Sequence, residues 1–208
     1  MVNGVEKTRL EAFSDGVFAI AITLLVLDLH VPQEVAAGGL GHALARDWPN
    51  YASYVVSFFI IGIIWVNHHA MFGDIKRVDR PLLFLNLLLL LFVVAIPFPT
   101  ALLAEYVTAG GFNSHLAAAV YSGTMFGMAI SFGVIWRWVL REGSPLTEGI
   151  DRGTARAILA RVAVGNVAYL VLIGLSFVSA PLTLTLHFLL AVFYILNVNQ
   201  MPLLRARR

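Results

Sequence analysis

Six apolar stretches, at about residues 13–31, 50–70, 82–104, 114–138, 158–179 and 182–203, take up most of the 208 residues of the chain. A helical run of about 20 apolar residues crosses the roughly 30 Å hydrocarbon core of a bilayer. In that medium every backbone N–H and C=O must be paired within the protein, and helices satisfy this for runs of such length. Each stretch is therefore read as a transmembrane helix. The breaks hold turn-forming residues: Pro32 with Gly38, Gly39 and Gly41; the charged run from Asp74 to Arg80 ahead of Pro81; Gly110 with Gly111; Gly143 to Pro145; and Pro181. No break is longer than about 20 residues, so residues 1–208 form a single transmembrane domain. With 59% apolar and 12% charged residues, the chain lacks the polar surface that a water-soluble domain of this size needs.

Lys and Arg collect in the cytoplasmic loops of membrane proteins. Here Lys7 and Arg9 precede the first span, and Lys76, Arg77 and Arg80 follow the second. Arg137, Arg141, Arg152, Arg156 and Arg161 surround the fourth break, and Arg205, Arg207 and Arg208 end the chain. These are thirteen residues on one side; with Arg46 on the other they make up all 14 Lys and Arg. Six spans in the cell membrane with both termini cytoplasmic follow. The net charge of +2 is thus a topology signal, and nucleic acid is not expected as a partner. Val35-Ala36-Ala37 resembles a signal-peptide cleavage site, but Glu6, Glu11 and Asp15 interrupt the leading basic region, and removing the first span would spoil the charge alternation. That span is expected to stay. Without cysteine the chain has no disulfides, thiolate metal sites or cysteine nucleophile.

The first span carries unusual chemistry. It begins Arg9-Leu10-Glu11-Ala12-Phe13-Ser14-Asp15-Gly16, ends Leu27-Asp28-Leu29-His30, and between them is apolar apart from Thr23. A carboxylate such as Asp15, one turn into a membrane, needs a partner. At about 100° per residue, Leu24 and Leu27 fall within roughly 40° of Ile20, Phe13 and Gly16 extend that line, and Thr23 lies about 60° to its side. Asp15 points about 140° and Ser14 about 120° away from Ile20, toward the rest of the bundle. The apolar line faces lipid, another helix or a pore axis; periodicity alone favours packing or lipid contact. Asp28 and His30 sit equally well at an aqueous interface.

The string Arg9-x-x-x-Phe13-Ser14-Asp15, followed by Gly16 to Leu27, resembles the first-helix signature of the transmembrane protein 175 family, the endosomal/lysosomal potassium channels and their bacterial relatives. Trp65-Val66-Asn67-His68-His69 with Phe72 in the second span is also similar to theirs. The resemblance implies a K⁺-preferring cation channel without a Thr-Val-Gly-Tyr-Gly carbonyl filter, a loop absent from this chain. It implies that the first helix lines the pore, with Ile20 as the narrowest ring, Leu24 and Leu27 as further rings and the Thr23 hydroxyl beside them. One copy of the signature implies a homotetramer, all-α, with four first helices around a central axis, K⁺ as the permeant ion and no cofactor. Apolar rings select through dehydration, because K⁺ gives up water more readily than Na⁺. Arg9, Ser14 and Asp15 are expected in a polar network reaching Trp65, Asn67, His68 or His69, which would fix the rotation of the helix. Arg9 projects near the apolar line, toward a neighbouring subunit or the vestibule. Asp28 either concentrates cations at the outer mouth or caps the helix end.

Other features have plainer readings. His68-His69 near Asp74 lacks the His-x-x-x-His spacing of a helical metal site. Ala95-Ile96-Pro97-Phe98-Pro99-Thr100 predicts a kink near the end of the third span. Gly123, Gly127 and Gly133, with Ser122 and Ser131, predict close packing of the fourth span, and Trp136 with Arg137-Trp138 an interfacial anchor. Motifs of hydrolases, P-loop enzymes and zincins are absent, so an enzyme is not expected. The competing function is a proton-coupled carrier, with Asp15 and His68 or His69 as the protonatable pair.

Overall fold

The structure, a computed structural model, describes residues 4–31, 39–141, 144, 146–147 and 150–196. Pro32, Gly38, the Val35-Ala36-Ala37 stretch, Gly143, Pro145 and the basic residues Arg205, Arg207 and Arg208 lie outside them. The described residues form helices α1 (Gly4–Leu24), α2 (Gly39–Arg46), α3 (Trp48–Asp74), α4 (Arg80–Ala95), α5 (Pro97–Tyr106), α6 (Gly111–Val139), α7 (Arg152–Ser176) and α8 (Ala180–Leu196). A 3₁₀ turn over Leu25–Asp28 extends α1.

Among the described residues, five apolar segments are long enough to cross a membrane: Lys7–Asp28, Trp48–Asp74, Arg80–Tyr106, Gly111–Val139 and Arg152–Ser176. The sixth, Ala180–Leu196, is described over 17 residues; the expected span ran on to 203. The third span is two helices, α4 and α5, as the proline pattern predicts. Pro97 has no N–H to give Val93, whose carbonyl instead accepts from Ile96 N at 3.2 Å. The carbonyl of Ile96 accepts from the backbone N–H of Thr100 at 3.1 Å and also from its hydroxyl at 2.8 Å. Asp79 caps α4 by accepting from Leu82 N at 2.9 Å, and Asp151 caps α7 by accepting from Gly153 N and Thr154 N. Gly110 and Gly111 turn into α6 with φ of 72° and 64°, a region that side chains disfavour.

Helix α3 lies between two groups of helices. On one side α1 packs on α3 and α4; on the other α8 packs on α3, α6 and α7, while α6 holds α4, α5 and α7. Leu82, Asn86, Leu89, Leu90 and Val93 form the buried face of α4 at helical spacing. Glycines bring α6 close to its neighbours. A Cβ at Gly127 would collide with the Phe92 ring, and one at Gly133 would lie 2.8 Å from Val162 Cγ1. Gly123 departs from the expectation: a Cβ there would meet open space. Ser122 pairs with Ser176 at 3.2 Å and with His187 Nε2 at 3.0 Å, and Ser131 donates to Gly127 O at 2.8 Å.

The expected aromatic anchor is divided. Trp136 is buried in the bundle, whereas Trp138 Nε1 donates to both Asp79 oxygens at 3.2 and 3.1 Å. The Arg141 guanidinium lies 3.7 Å over the Trp138 ring and reaches Asp79 Oδ2 at 3.4 Å. These contacts, with a bridge between Ile75 and Thr147, tie the α3–α4 and α6–α7 connections together at the basic end of the bundle.

Candidate functional site

Leu10, Ser14, Phe18, Ala21 and Leu25 recur at the spacing of one helical face and are buried against α3 and α4. The opposite face carries Phe13, Ile20, Leu24 and Leu27, which are 53%, 59%, 39% and 67% exposed on the protomer. The 3₁₀ winding after Leu24 straightens this apolar line. At three residues per turn, Leu27 stands directly above Leu24 rather than about 60° to one side as an α-helix would put it. Thr23 is exposed beside the line, and its hydroxyl donates to the carbonyls of Ala19 and Ile20, both at 2.9 Å. Its proton is thereby turned to the backbone, which leaves the oxygen lone pairs as the outward group.

The buried face is held by a chain of hydrogen bonds whose directions are fixed by the chemistry of the partners. Ser14 Oγ gives its one proton to Leu10 O at 2.9 Å, so toward Asn86, 2.9 Å away, it accepts. The Asn86 atom facing Ser14 is therefore Nδ2, and Oδ1 faces His68. His68 Nε2, 2.8 Å from Oδ1, must then carry a proton. His68 is buried, with its ring stacked on Phe72 at 4.4 Å and near Phe18 at 5.3 Å. Three helices, α1, α3 and α4, meet in this Ser14–Asn86–His68 chain.

Asp15 has a separate partner. Its Oδ1 accepts from Trp65 Nε1 at 2.9 Å, and both side chains are exposed on the protomer. The projection that turns Asp15 inward is thus met only as far as the edge of α3. His69 is also exposed, with its ring 6.1 Å from Trp65, so of the two adjacent histidines it is His68 that joins the Ser14 network. Arg9 is exposed and makes no ion pair among the described residues; Lys7 instead pairs with Glu11 at 3.6 Å. Asn67 turns away from α1 and lines a cavity against α6, α7 and α8. Asp28 is half-buried, with Oδ2 enclosed and its carbonyl 2.8 Å from His30 Nδ1. No group of three His, Cys, Asp or Glu that would hold a metal occurs among the described residues.

Asn86 is absent from the expected site residues. Its signal is present in the sequence: it is the one polar side chain in the run Leu82 to Ala95, and a polar group within a span calls for a buried partner.

The family described as endosomal/lysosomal potassium channel TMEM175 matches residues 9–97, the segment from the start of the Arg9 signature to the Pro97 break. The chain is 54% identical to a potassium channel of Streptomyces collinus, covering 95% of this chain and 94% of that one. It is similar in structure to a lysosomal potassium-selective channel TMEM175 homolog from Chamaesiphon minutus, with a TM-score of 0.83 and 41% identity over 94% of this chain and 99% of that one. A 101-residue segment is 42% identical to the endosomal/lysosomal proton channel TMEM175 of Bos taurus, covering 45% of this chain and 21% of the bovine one. With that extent of likeness to channels and helices apolar enough to cross a bilayer, this multi-pass membrane protein belongs to the TMEM175 family.

Proposed function

We propose that the chain is a K⁺-preferring cation channel, formed by four copies whose α1 helices surround a central pore. The observation that carries this reading is the apolar line Phe13–Ile20–Leu24–Leu27, left open on a helix whose other face is held in place by a buried polar network. A marked face on one helix encloses a path most simply by rotational symmetry. Potassium channels among its full-length relatives support the choice of ion. Ile20 forms the narrowest ring, with Leu24 and Leu27 above it; these rings hold the pore shut by dewetting or strip water from a passing ion. Thr23 oxygen replaces part of the lost hydration. Arg9, exposed on the protomer, reaches the neighbouring subunit or the vestibule. The placement of Lys and Arg supports cytoplasmic termini in the cell membrane.

The test is the reversal potential of the purified protein in a planar bilayer between K⁺ and Na⁺ solutions. A channel gives unitary currents with a K⁺-directed reversal potential. Flux restricted to slow, proton-dependent turnover favours the carrier instead. That second reading requires proton exchange between Asp15, bonded to Trp65, and either His68, bonded to Asn86, or His69, whose ring lies 6.1 Å from that of Trp65.

A further inference from the structure

Helix α2 is joined to α3 by Asp47 alone, and the length of α3 fixes the depth at which it starts. The 27 residues of α3 measure about 40 Å at 1.5 Å per residue, against about 40–45 Å for a bilayer with both headgroup layers. Asp74, followed by the exposed cations Lys76 and Arg77, puts one end of α3 in one headgroup layer. Trp48 at the other end therefore lies in the opposite layer, and any tilt of α3 only draws it further in. Trp48, Tyr51 and Tyr54 are of the kind that collects at that depth. Asp47 has a ψ of 12°, away from the helical value, and Pro49 has no N–H to give the preceding turn, so α2 does not continue the line of α3.

Helix α2 has two faces. Leu40 and Leu44 lie about 40° apart on one of them, and His42 and Arg46 about 40° apart on the other, roughly opposite. No residue of α2 is buried in the protomer, and both leucines are exposed, as is Trp48. Arg46 is the one Lys or Arg between the first two spans; it is exposed and forms no ion pair among the described residues. The Asp47 carboxylate next to it accepts from Asn50 Nδ2 at 2.5 Å, so it is turned to α3. At headgroup depth, the group that matches a guanidinium is a lipid phosphate. A short helix with leucines on one side and cationic or polar groups on the other suits the boundary between headgroups and acyl chains.

We propose that α2 lies flat in the phospholipid interface at the end of the bundle opposite Gly4, with Leu40 and Leu44 among the upper acyl chains, Arg46 against lipid phosphates and His42 toward water. The connection between α1 and α3 is thereby moored to the bilayer. This surface requires a membrane but no conducting pore, so it stands or falls apart from the channel reading.

The chain has no cysteine, so a nitroxide spin label on one introduced cysteine reports on one position. Leu40→Cys, Leu44→Cys and His42→Cys, each labelled and reconstituted into vesicles of phosphatidylcholine and phosphatidylglycerol, are compared by power saturation with oxygen, which concentrates in hydrocarbon, and with a water-soluble nickel chelate. Labels at positions 40 and 44 should collide with oxygen several-fold more than with nickel, and the label at 42 should show the reverse. Circular dichroism identifies folded variants; should one leucine variant fail to fold, the other decides. Labels at 40 and 44 that favour nickel place α2 in water and overturn the proposal. Labels there that are shielded from both reagents assign the face to a second copy of the chain and also overturn it, as does the same ratio at 42 and 44.

Discussion

Replacing Asn86 by leucine keeps the volume of the α4 side chain while removing both hydrogen bonds that join α1 to α3 through α4. Ser14 retains its own donation to Leu10 O and loses an incoming bond, a small cost. His68 loses the acceptor for its Nε2 proton inside a pocket closed by Phe18 and Phe72, where no water replaces it. A buried donor left without a partner costs about 1–3 kcal/mol, and a hydrogen bond between membrane helices contributes about 0.6–2 kcal/mol. Together these give a loss of about 2–5 kcal/mol for Asn86→Leu. At roughly 2–4 °C per kcal/mol for a chain of this length, the melting temperature should fall by about 4–20 °C. Thermal unfolding in detergent followed by circular dichroism measures it. Ser14→Ala should cost less, and the Ser14→Ala/Asn86→Leu pair should cost less than the sum, since both remove one shared bond. A melting temperature for Asn86→Leu within 2 °C of wild type, or strict additivity in the cycle, would refute the idea that this chain of bonds anchors α1.

Three other outcomes follow from separate parts of the structure. If the proposed pore is right, Ile20→Asn should hydrate the ring assigned to Ile20, raising K⁺ conductance and weakening the preference over Na⁺ in planar bilayers; unchanged current and selectivity would remove Ile20 from the constriction. Gly127→Ala forces a methyl into the Phe92 ring and should cost about 1–3 kcal/mol by overpacking, whereas Gly123→Ala should leave stability unchanged or slightly raised; thermal melts in which the two behave alike would contradict the packing. The bonds from the Thr154 hydroxyl and from the backbone of Thr154 and Gly153 hold the Asp151 carboxyl below the usual carboxylate range. A carboxyl depressed in the folded state stabilises above its unfolded pKa, and that contribution disappears as pH falls through the folded value. The melting difference between wild type and Asp151→Ala should therefore be present at neutral pH and vanish under acid. A difference constant from neutral pH to below the carboxylate range would show that the cap does not depend on charge.

The membrane spans were legible because their signal is additive: twenty apolar residues in a row report the same environment many times over. The Pro97 break was legible for a different reason, since a missing N–H acts wherever it falls. What escaped was anything decided by a single contact. His68 and His69 differ by about 100° on one helix, and only the position of Asn86 on another helix makes the first the buried one. Gly123 and Gly127 sit on the same helix, yet only Gly127 has an aromatic ring against it. Trp136 reads as an interfacial residue by composition but faces inward. Helix α2 was hidden in a glycine-containing connection, because eight residues with Leu40 and Leu44 four apart give too short a pattern to separate from a loop.

The two faces of α1 explain why its polar residues stand where they do. A helix packed by apolar contacts alone in lipid has little to set its rotation, because lipid tails and leucine side chains are equally good neighbours. A pore lined by that helix needs its rotation fixed, since a turn of about 100° exchanges Ile20 for the buried Ala21. Ser14 lies six positions before Ile20, about 9 Å along the axis, close enough for the stiffness of the helix to carry the orientation set by Asn86 and His68 up to Ile20. Beyond Ile20 the 3₁₀ turn adds its own correction and places Leu27 over Leu24. The anchor is made of a hydroxyl, an amide and an imidazole, with the carboxylate of Asp15 set apart at the exposed Trp65. Such an anchor fixes direction by donor and acceptor geometry without placing a net negative charge behind the apolar line.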